Sequence, residues 1–347
     1  MAHELEKVGD MVYVGEKPWH DMGNQVESID EIPPILNYEV QTLPIYIQNG
    51  TYTQIPGHVA ICRADDKRVY GLASEDYVPH QNQQLWDTFK RFCDSGNMKI
   101  ETAGILRGGE VIWILAKLLS ANSITVGKDW DRNDLFALIG SGHNNKLASF
   151  TKPTAVRVVC ANTFNFALND GKVMDRQVHR GEFDIKKAQS FVESAILGWE
   201  TYHEKAIQLA DKKVLVPSMS MAFSQELLQP ENLDLAIKAA TMGKFDIKSE
   251  KDQWVQAVFG NDQTQKIFDE FLYNKPPKHV KTLQEQIEVE RGGDGDTWWH
   301  EFNGVTRYVD HVRSRTPDVR LYNAWFGSGA QIKQKAFDAA LDYAEAA

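Results

Sequence analysis

The chain has 347 residues, of which 42% are hydrophobic and 25% are charged, and its formal net charge is −10. This composition is typical of a folded protein with a sizeable core and excludes a disordered chain. No apolar run approaches the roughly 18 residues that span a bilayer, and the N-terminus has no apolar segment typical of a secretion signal. The three cysteines lack the spacing of a zinc or redox site, so we expect a cytoplasmic protein without a metal.

The first part of the chain has strand-like and helical segments. Residues 38–47 have strand character but are interrupted by Pro44, and two apolar runs flank residues 65–67 as the strands of a hairpin do. Residues 82–93 carry apolar side chains at i, i+3, i+4 and i+7, and this spacing predicts an amphipathic helix.

A hairpin is predicted for residues 99–119. Gly108 and Gly109 lie between its two apolar halves and supply the positive φ that a tight turn needs. Residues 134–141 are expected to add a third strand. Residues 151–168 follow a Gly-Ser-Gly turn and repeat small apolar side chains at helical spacing, so they are expected to form a helix.

The second half of the chain is expected to be mainly helical. The Pro-Pro pair within residues 274–281 indicates a linker, and the Gly-rich acidic residues 292–296 indicate a loop. No internal repeat or low-complexity tract is present. The predicted helices cover residues 185–209, 224–242, 251–273, 298–313 and 332–343.

Positive charge is concentrated in one window of this acidic chain. Residues 140–180 contain six Lys and Arg against two acids, which gives a local charge of +4. A local anionic partner explains such a window more easily than general solubility does, and ordinary solvated side chains are the alternative. With a helix starting at residue 151, Lys152 and Arg157 would add their charges to the helix dipole at a bound anion.

Sequence signatures of catalysis are weak. There is no GxxxxGK[ST] phosphate loop and no GxGxxG after a strand, so ATP-driven chemistry is not expected. His143 and Cys160 can be imagined as base and nucleophile, but a cysteine within an apolar run is far more often a buried hydrophobe. Residues 19–21 and 294–296 lack the partners that a zinc or calcium site requires. We therefore expect no catalytic residue and no cofactor.

Three features favour a nucleic-acid interface. The basic window can neutralise phosphates, the rings of Phe150 and Trp113 can stack on unpaired bases if they are exposed, and Arg107 lies beside the hairpin turn. No pattern typical of duplex readers is present, so single strands are the expected partner. The predicted nucleic-acid-binding residues are Arg107, His143, Asn144, Lys146, Lys152, Arg157, Lys172, Arg176 and Arg180.

Five segments resemble a known family. They are KPWHDMG (17–23), YVPHQNQQLWD (77–87), KPTAVRVVCANTFNFAL (152–168), TRYVDHVR (306–313) and GSGAQIKQKAF (327–337). On these segments the chain resembles the uncharacterised phage/plasmid-like proteins of prophages, phages and conjugative plasmids, and the resemblance covers nearly the whole chain. It implies a phage or plasmid origin but no particular activity.

A looser resemblance concerns the order of elements. Helix, Gly-turned hairpin, third strand and helix is similar to the order in the RecT, Erf and Rad-type single-strand annealing proteins. In that superfamily the sheet and the following helix form a positively charged groove, and subunits assemble into rings or filaments. The resemblance implies an α+β fold with a Rad-type annealing core, a mostly antiparallel sheet and packed helices.

These observations lead to one predicted function and two alternatives. We predict a core domain at residues 1–180 and a mostly helical region at residues 181–347. The protein is expected to bind single-stranded DNA and to promote strand annealing without ATP, as a homo-oligomer that does not contact membranes. A nucleic-acid-processing hydrolase would instead use His143 with nearby carboxylates. A self-assembling structural or host-interference protein would use the basic window as a subunit interface.

Overall fold

The computed structural model has an α+β fold, as the sequence predicted at this level. It describes residues 11–14, 23–26, 29, 31–127, 131–157, 162–165, 174–292, 295–314 and 316–346. None of the helices in these ranges has both the length and the apolar character needed to cross a membrane.

The described strands form two sheets. In the large sheet the order is β11-β10-β9-β7-β6-β1-β2, with β12 beside β10 and β8 beside β9, whereas β3, β4 and β5 form the small sheet. All neighbours are antiparallel except β1 and β2. The strands are β1 (Met11–Val14), β2 (Asn24–Val26), β3 (Val40–Asn49), β4 (Thr51–Arg63), β5 (Val69–Ser74), β6 (Met98–Leu106), β7 (Val111–Leu118), β8 (Ile124–Thr125), β9 (Arg132–Gly142), β10 (Ser149–Arg157), β11 (Asn162–Phe164) and β12 (Asp175–Gln177).

Helices account for most of the second half of the chain. One helix precedes the central hairpin, and the others follow the sheet, with a π-helical turn at Tyr308–Val312 after α8. The described helices are α1 (Asn82–Asp94), α2 (Ile185–Asp211), α3 (Pro217–Leu228), α4 (Pro230–Thr241), α5 (Lys251–Phe259), α6 (Asp262–Leu272), α7 (Lys278–Arg291), α8 (Trp298–Arg307), α9 (Pro317–Trp325) and α10 (Ser328–Ala346).

Both faces of the large sheet are buried. Strand β7 alternates between them: Ile112 and Ile114 belong to one buried cluster, and Trp113 and Leu115 belong to the other. The first cluster is shared with α1, α2 and most of the later helices. The second is covered by α9, whose Trp325 meets Trp113 edge to face with ring centroids 4.8 Å apart. The sheet is therefore the middle layer of the fold.

The central hairpin is confirmed. Strands β6 and β7 pair from Met98 to Leu118, and Gly108 and Gly109 in their turn have φ angles of 66° and 102°. Helix α1 also lies where helical spacing predicted it. These elements depend on local signals, namely glycine in a turn and an apolar stripe.

The predicted helices of the second half are confirmed in type but not in every boundary. The helix expected at residues 224–242 is divided by Pro230, which starts α4 because a proline is tolerated in the first turn of a helix. The helix expected at residues 251–273 is divided at Gly260, and Asn261 caps the second piece. The expected linker is shorter than predicted, because α7 already begins at Lys278.

The helix predicted for residues 151–168 is wrong. Residues 149–157 form β10, which pairs along its whole length with β9. Pro153 fits there because it lies between the segments of β10 that β12 and β11 cover, so no described strand on that side needs its missing N–H. Lys152 and Arg157 consequently do not lie at a helix N-terminus, and no helix dipole adds to their charge.

The two predicted regions share buried side chains. One continuous cluster includes Ile114 and Ala155 of the sheet together with Trp199 and Phe337 of the helices. Phe164 of β11 lies 4.9 Å from Phe337 of α10, measured between ring centroids. The helical region therefore packs directly on the sheet, and the division at residue 180 stays a prediction.

Candidate nucleic-acid interface

Two turns and a short strand meet at one end of the large sheet. The β6–β7 turn contains Arg107, and the β9–β10 turn comprises residues 143–148. Because the first residue of β7 pairs with the last residue of β9, the two turns lie side by side. Strand β12 joins them, since Gln177 pairs with Ser149 at the start of β10. Segments that are distant in the sequence therefore share this end of the sheet.

The β9–β10 turn holds Lys146 at the surface. The backbone N–H of Lys146 donates to Oδ1 of Asn144 at 3.0 Å, and Nδ2 of Asn144 donates to the Glu110 carboxylate at 3.0 Å. Asn145 adopts φ 60°, a left-handed conformation that asparagine tolerates better than most residues. Asn144 is thus buried and shapes the turn, while the Lys146 side chain is exposed.

Residues 175–180 present two arginines on one side. Burial alternates along this segment, so that Arg176 and Arg180 are exposed while Asp175, Gln177 and His179 are buried. The Gln177 side chain fixes the segment in place: its Oε1 accepts from the Asp184 N–H at 2.7 Å, and its Nε2 donates to the Asp184 carbonyl at 3.0 Å. The alternation aims both guanidinium groups away from the core.

These cations surround one pocket. Lys146, Arg176 and Arg180 line a cavity of about 350 Å³ together with Tyr77 and His179. Asp76 also lies in it and approaches the Arg180 guanidinium at 3.6 Å, but both groups are well exposed, so this pair is weak. Neither Lys146 nor Arg176 belongs to an ion pair within the described residues. The pocket therefore carries unneutralised positive charge.

The floor of the pocket is a network of buried neutral groups. The His179 ring stacks on Tyr77 with centroids 5.0 Å apart and lies 4.5 Å from the His80 ring. Nε2 of His80 donates to the Gly181 carbonyl at 2.9 Å, which leaves Nδ1 to accept from the Ser149 hydroxyl at 2.7 Å. The Ser149 and Ser141 hydroxyls are 2.8 Å apart. The network joins β9, β10 and the segment after β12.

Burial keeps these histidines uncharged near neutral pH. Burial, together with the neighbouring His80, lowers the pKa of His179 to about 4. Burial also lowers the pKa of His80. Within the described residues, no group of three or more His, Cys, Asp or Glu is arranged to hold a metal ion. The positive charge of the pocket therefore comes from Lys146, Arg176 and Arg180 and not from the histidines of its floor.

His143 does not reach the pocket surface. Its side chain is fully buried, and its Nε2 donates to Oδ1 of Asn82 at 2.8 Å. Burial lowers the pKa of His143 to about 3, so the ring is neutral. The rings of Tyr38 and Tyr70 enclose His143, so this geometry does not favour its predicted contact with nucleic acid, which stays a prediction. For the same reason it is not placed to act as the base of a hydrolase.

Lys152 is buried on the face of the large sheet that α9 covers. Its side chain is 4% exposed, and its Nζ donates to the Trp325 carbonyl at 2.6 Å and lies 4.9 Å from the centre of the Phe326 ring. Burial, with Lys333 and Arg176 nearby, lowers the pKa of Lys152 to about 7. Because Lys152 of β10 points at α9, this geometry does not favour its predicted contact with phosphate, which stays a prediction. Trp113 and Phe150 are buried there too and are not free to stack on bases.

Three of the predicted nucleic-acid-binding residues, Arg107, Arg157 and Lys172, remain to be placed. Arg107 is exposed at the same end of the sheet, where its guanidinium carbon lies 3.7 Å from the centre of the Tyr322 ring. Arg157 ends β10, but its side chain lies outside the described part of the chain, and so does all of Lys172. The structure therefore brings Lys146, Arg176 and Arg180 together and places Arg107 on a neighbouring turn.

Sequence reasoning missed the residues that form the floor. Tyr77, His80 and His179 were not predicted, because nothing in the local sequence shows that two segments a hundred residues apart pack together. Residues 175–180 gave no such signal either, because their one apolar residue, Val178, is 67% exposed while the polar Asp175, Gln177 and His179 are buried.

The comparison with protein families covers this whole site. A family model described as a domain of unknown function (DUF932) matches residues 69–326, which is most of the chain. The chain belongs to the DUF932 family. The matched segment runs from β5 to just beyond α9 and includes both turns and the cationic pocket. No curated protein and no solved structure matches the chain.

Proposed function

We propose that this protein binds single-stranded DNA through the cationic pocket and promotes annealing of complementary strands without ATP, as a recombination protein of a phage or plasmid. One observation carries the binding proposal. Lys146, Arg176 and Arg180 come from two separate segments and line a single surface pocket without equal compensation by acids. Clustered cations of this kind suit a phosphate backbone, which carries regularly spaced negative charge.

The geometry favours contact with the backbone over recognition of bases. Tyr77 and His179 are buried in the floor, so they are not free to stack on a base. Arg107, whose planar guanidinium lies over Tyr322, adds a cation on the adjacent turn. A strand held mainly by its phosphates keeps its bases free to pair, and base pairing then supplies the specificity of annealing.

The charge of the whole chain sets the expected strength of binding. The protein is acidic, with a net charge of −10, so its overall charge disfavours a polyanion and binding relies on the local positive charge of the pocket. Binding should therefore be modest and confined to this site. Three phosphate contacts predict a slope of about −2 for the logarithm of affinity against the logarithm of salt concentration, at about −0.7 per contact for single strands.

The proposal is tested by fluorescence anisotropy with a labelled single-stranded oligonucleotide and a duplex of equal length at low salt. We expect the wild type to prefer the single strand and the Lys146→Ala/Arg176→Ala/Arg180→Ala variant to lose most of this binding. Lys266→Ala, an exposed lysine on α6, is the matched control. Absence of binding by the wild type at low salt would reject the proposal and favour a structural or host-interference protein.

Annealing needs its own measurement. Two complementary oligonucleotides with a donor and an acceptor dye should pair faster with the wild type than alone, in buffer without ATP. The triple variant should not accelerate pairing. Binding without acceleration would retain the pocket as a DNA site and remove annealing from the proposal.

A further inference from the structure

A two-stranded arm projects from the small sheet. Strands β3 and β4 pair along their length, but β5 pairs with β4 only from His58 to Cys62. Beyond that point the two strands have no described neighbour on either outer edge. We call residues 43–57 the arm. At about 3.3 Å per residue, each of its strands extends for about 20 Å.

The arm carries no charge. Residues 40–62 contain no Asp, Glu, Lys or Arg, although a quarter of the whole chain is charged. Natural proteins usually protect exposed strand edges with charged side chains, because an open edge pairs readily with another strand. Pro44 and Pro56 lie near the base of the arm, where a bulge follows Pro44, and no proline or charge protects the residues between them.

Large side chains are exposed on both faces of the arm. Tyr46 pairs with Gln54 and Gln48 pairs with Tyr52, so the two tyrosines lie diagonally on one face, with exposures of 52% and 75%. Ile47 is 51% exposed and lies on the opposite face. A two-stranded ribbon is only marginally stable in water. The arm therefore exposes apolar surface and open strand edges that a partner would cover.

We propose that the arm is a self-association site at which it pairs edge to edge with the arm of a second copy of this chain. The partner must offer an open strand edge and match an uncharged surface. The arm of a second copy meets both conditions, because it has open strand edges and no charged residue. In a dimer with a two-fold axis, the same strand edge of each copy pairs with that of the other in antiparallel orientation. Two-fold symmetry is the commonest symmetry of homo-oligomers. A nucleic acid does not fit, because the arm has no cation to offer a phosphate.

The arm is distinct from the cationic pocket. It precedes residue 69, where the match to the DUF932 family begins, and none of the pocket residues belongs to it. Self-association through the arm does not depend on the proposed binding of DNA, so the two proposals fail separately. It provides a specific surface for the homo-oligomer expected from the sequence.

The experiment is sedimentation velocity on the full chain without DNA, over a range of protein concentrations. The wild type should have a mass above that of one 39.3 kDa chain, and this mass should rise with concentration. The Ile47→Lys/Tyr52→Lys variant, which places like charges on both faces, should weaken association by at least about tenfold. Leu235→Lys is the matched control, because Leu235 is 60% exposed on α4.

Folding and geometry are controlled separately. The arm variant should have the same far-ultraviolet circular dichroism spectrum as the wild type. Its melting temperature should equal that of the wild type at low protein concentration and should not depend on protein concentration. Tyr52→Cys should give a disulfide-linked dimer on mild oxidation, whereas Leu235→Cys should not. A wild-type mass of one chain at every concentration, or an arm variant that associates as strongly as the wild type, would overturn the proposal. Retained binding of single-stranded DNA by a dissociated arm variant would show that the two sites are independent.

Discussion

Arg176 of β12 lies directly opposite Phe150 of β10 in the large sheet, and this pairing brings the arginine to the pocket that Lys146 also lines. Lys146 precedes β10 and Arg176 lies in β12, so strands β10 and β11 lie between them in the sequence, yet both residues line the same cavity. The cationic site is thus a product of strand pairing and is not a continuous basic motif.

Each cation of the pocket should contribute independently of DNA sequence. We expect Lys146→Ala or Arg176→Ala to weaken binding of all single-stranded sequences alike and to reduce the magnitude of the salt slope by about 0.7. Anisotropy titrations with several oligonucleotides at four salt concentrations measure both effects. An equal loss in Lys266→Ala would show that the effect is one of net charge and not of the pocket.

Lys152 should affect stability and not binding. In the unfolded chain its pKa is about 10.4, whereas in the folded protein it is about 7. Between these values the unfolded chain holds the proton and the folded chain does not, so this residue makes the free energy of unfolding rise with pH, by up to about 1.4 kcal/mol per pH unit.

Substitution of Lys152 isolates that contribution. Lys152→Met retains an apolar stem of similar length and has no titrating group, so its stability should increase less between pH 7 and pH 9 than that of the wild type. Urea unfolding at both pH values measures the difference, with Lys266→Met as the control. Identical pH dependence in the wild type and Lys152→Met would show that Lys152 is not held in its neutral form. DNA affinity at pH 7 should be unchanged.

The buried histidines should make the fold sensitive to acid. The pKa values of His143 and His179 are about 3 and 4 in the folded protein, against about 6.5 in an unfolded chain. The unfolded state therefore binds more protons below pH 6.5, and the stability contributed by these residues is present above pH 6.5 and is lost as the pH falls toward 4.

His143→Gln provides the test of this acid sensitivity. Glutamine can still donate to Asn82 but does not titrate, so the variant should lose less stability than the wild type between pH 7 and pH 5. Denaturant unfolding at these two pH values checks it, and His279→Gln, an exposed position on α7, is the control. A variant whose stability falls as steeply as that of the wild type would contradict a neutral buried His143.

The turn beside Arg107 should tolerate little change. A Cβ at Gly109, where φ is +102°, would lie 2.3 Å from the hydroxyl of Tyr70. Gly243 also has a positive φ, of +71°, but a Cβ there would meet nothing within 4 Å. We therefore expect Gly243→Ala to cost about 1–2 kcal/mol of stability and Gly109→Ala to cost clearly more. Thermal or urea unfolding compares them, and equal costs would argue against the close packing of Tyr70 on this turn.

The sequence predicted the elements that depend on local signals. The helix at residues 82–93 follows from its apolar spacing, and the hairpin at residues 99–119 follows from Gly108 and Gly109. Strand β10 was missed because a short apolar run has no decisive periodicity, and its type is decided by pairing with β9, which no local pattern reveals.

The candidate site was predictable only as a basic window. Lys146, Arg176 and Arg180 were among the predicted residues, but which cations share a surface depends on the pairing of β10 with β12. His143 illustrates the opposite outcome. It lies in a polar run that resembles an exposed loop, yet Asn82 and Tyr70, which are distant in the sequence, bury it.

The salt dependence of single-stranded DNA binding tests the central claim most directly. The wild type should show a slope of about −2 per protomer in a plot of the logarithm of affinity against the logarithm of salt concentration. The Lys146→Ala/Arg176→Ala/Arg180→Ala variant should show a slope near zero at unchanged thermal stability. A wild-type slope near zero, or a slope that the triple substitution leaves unchanged, would contradict the assignment of this pocket as the DNA-binding site.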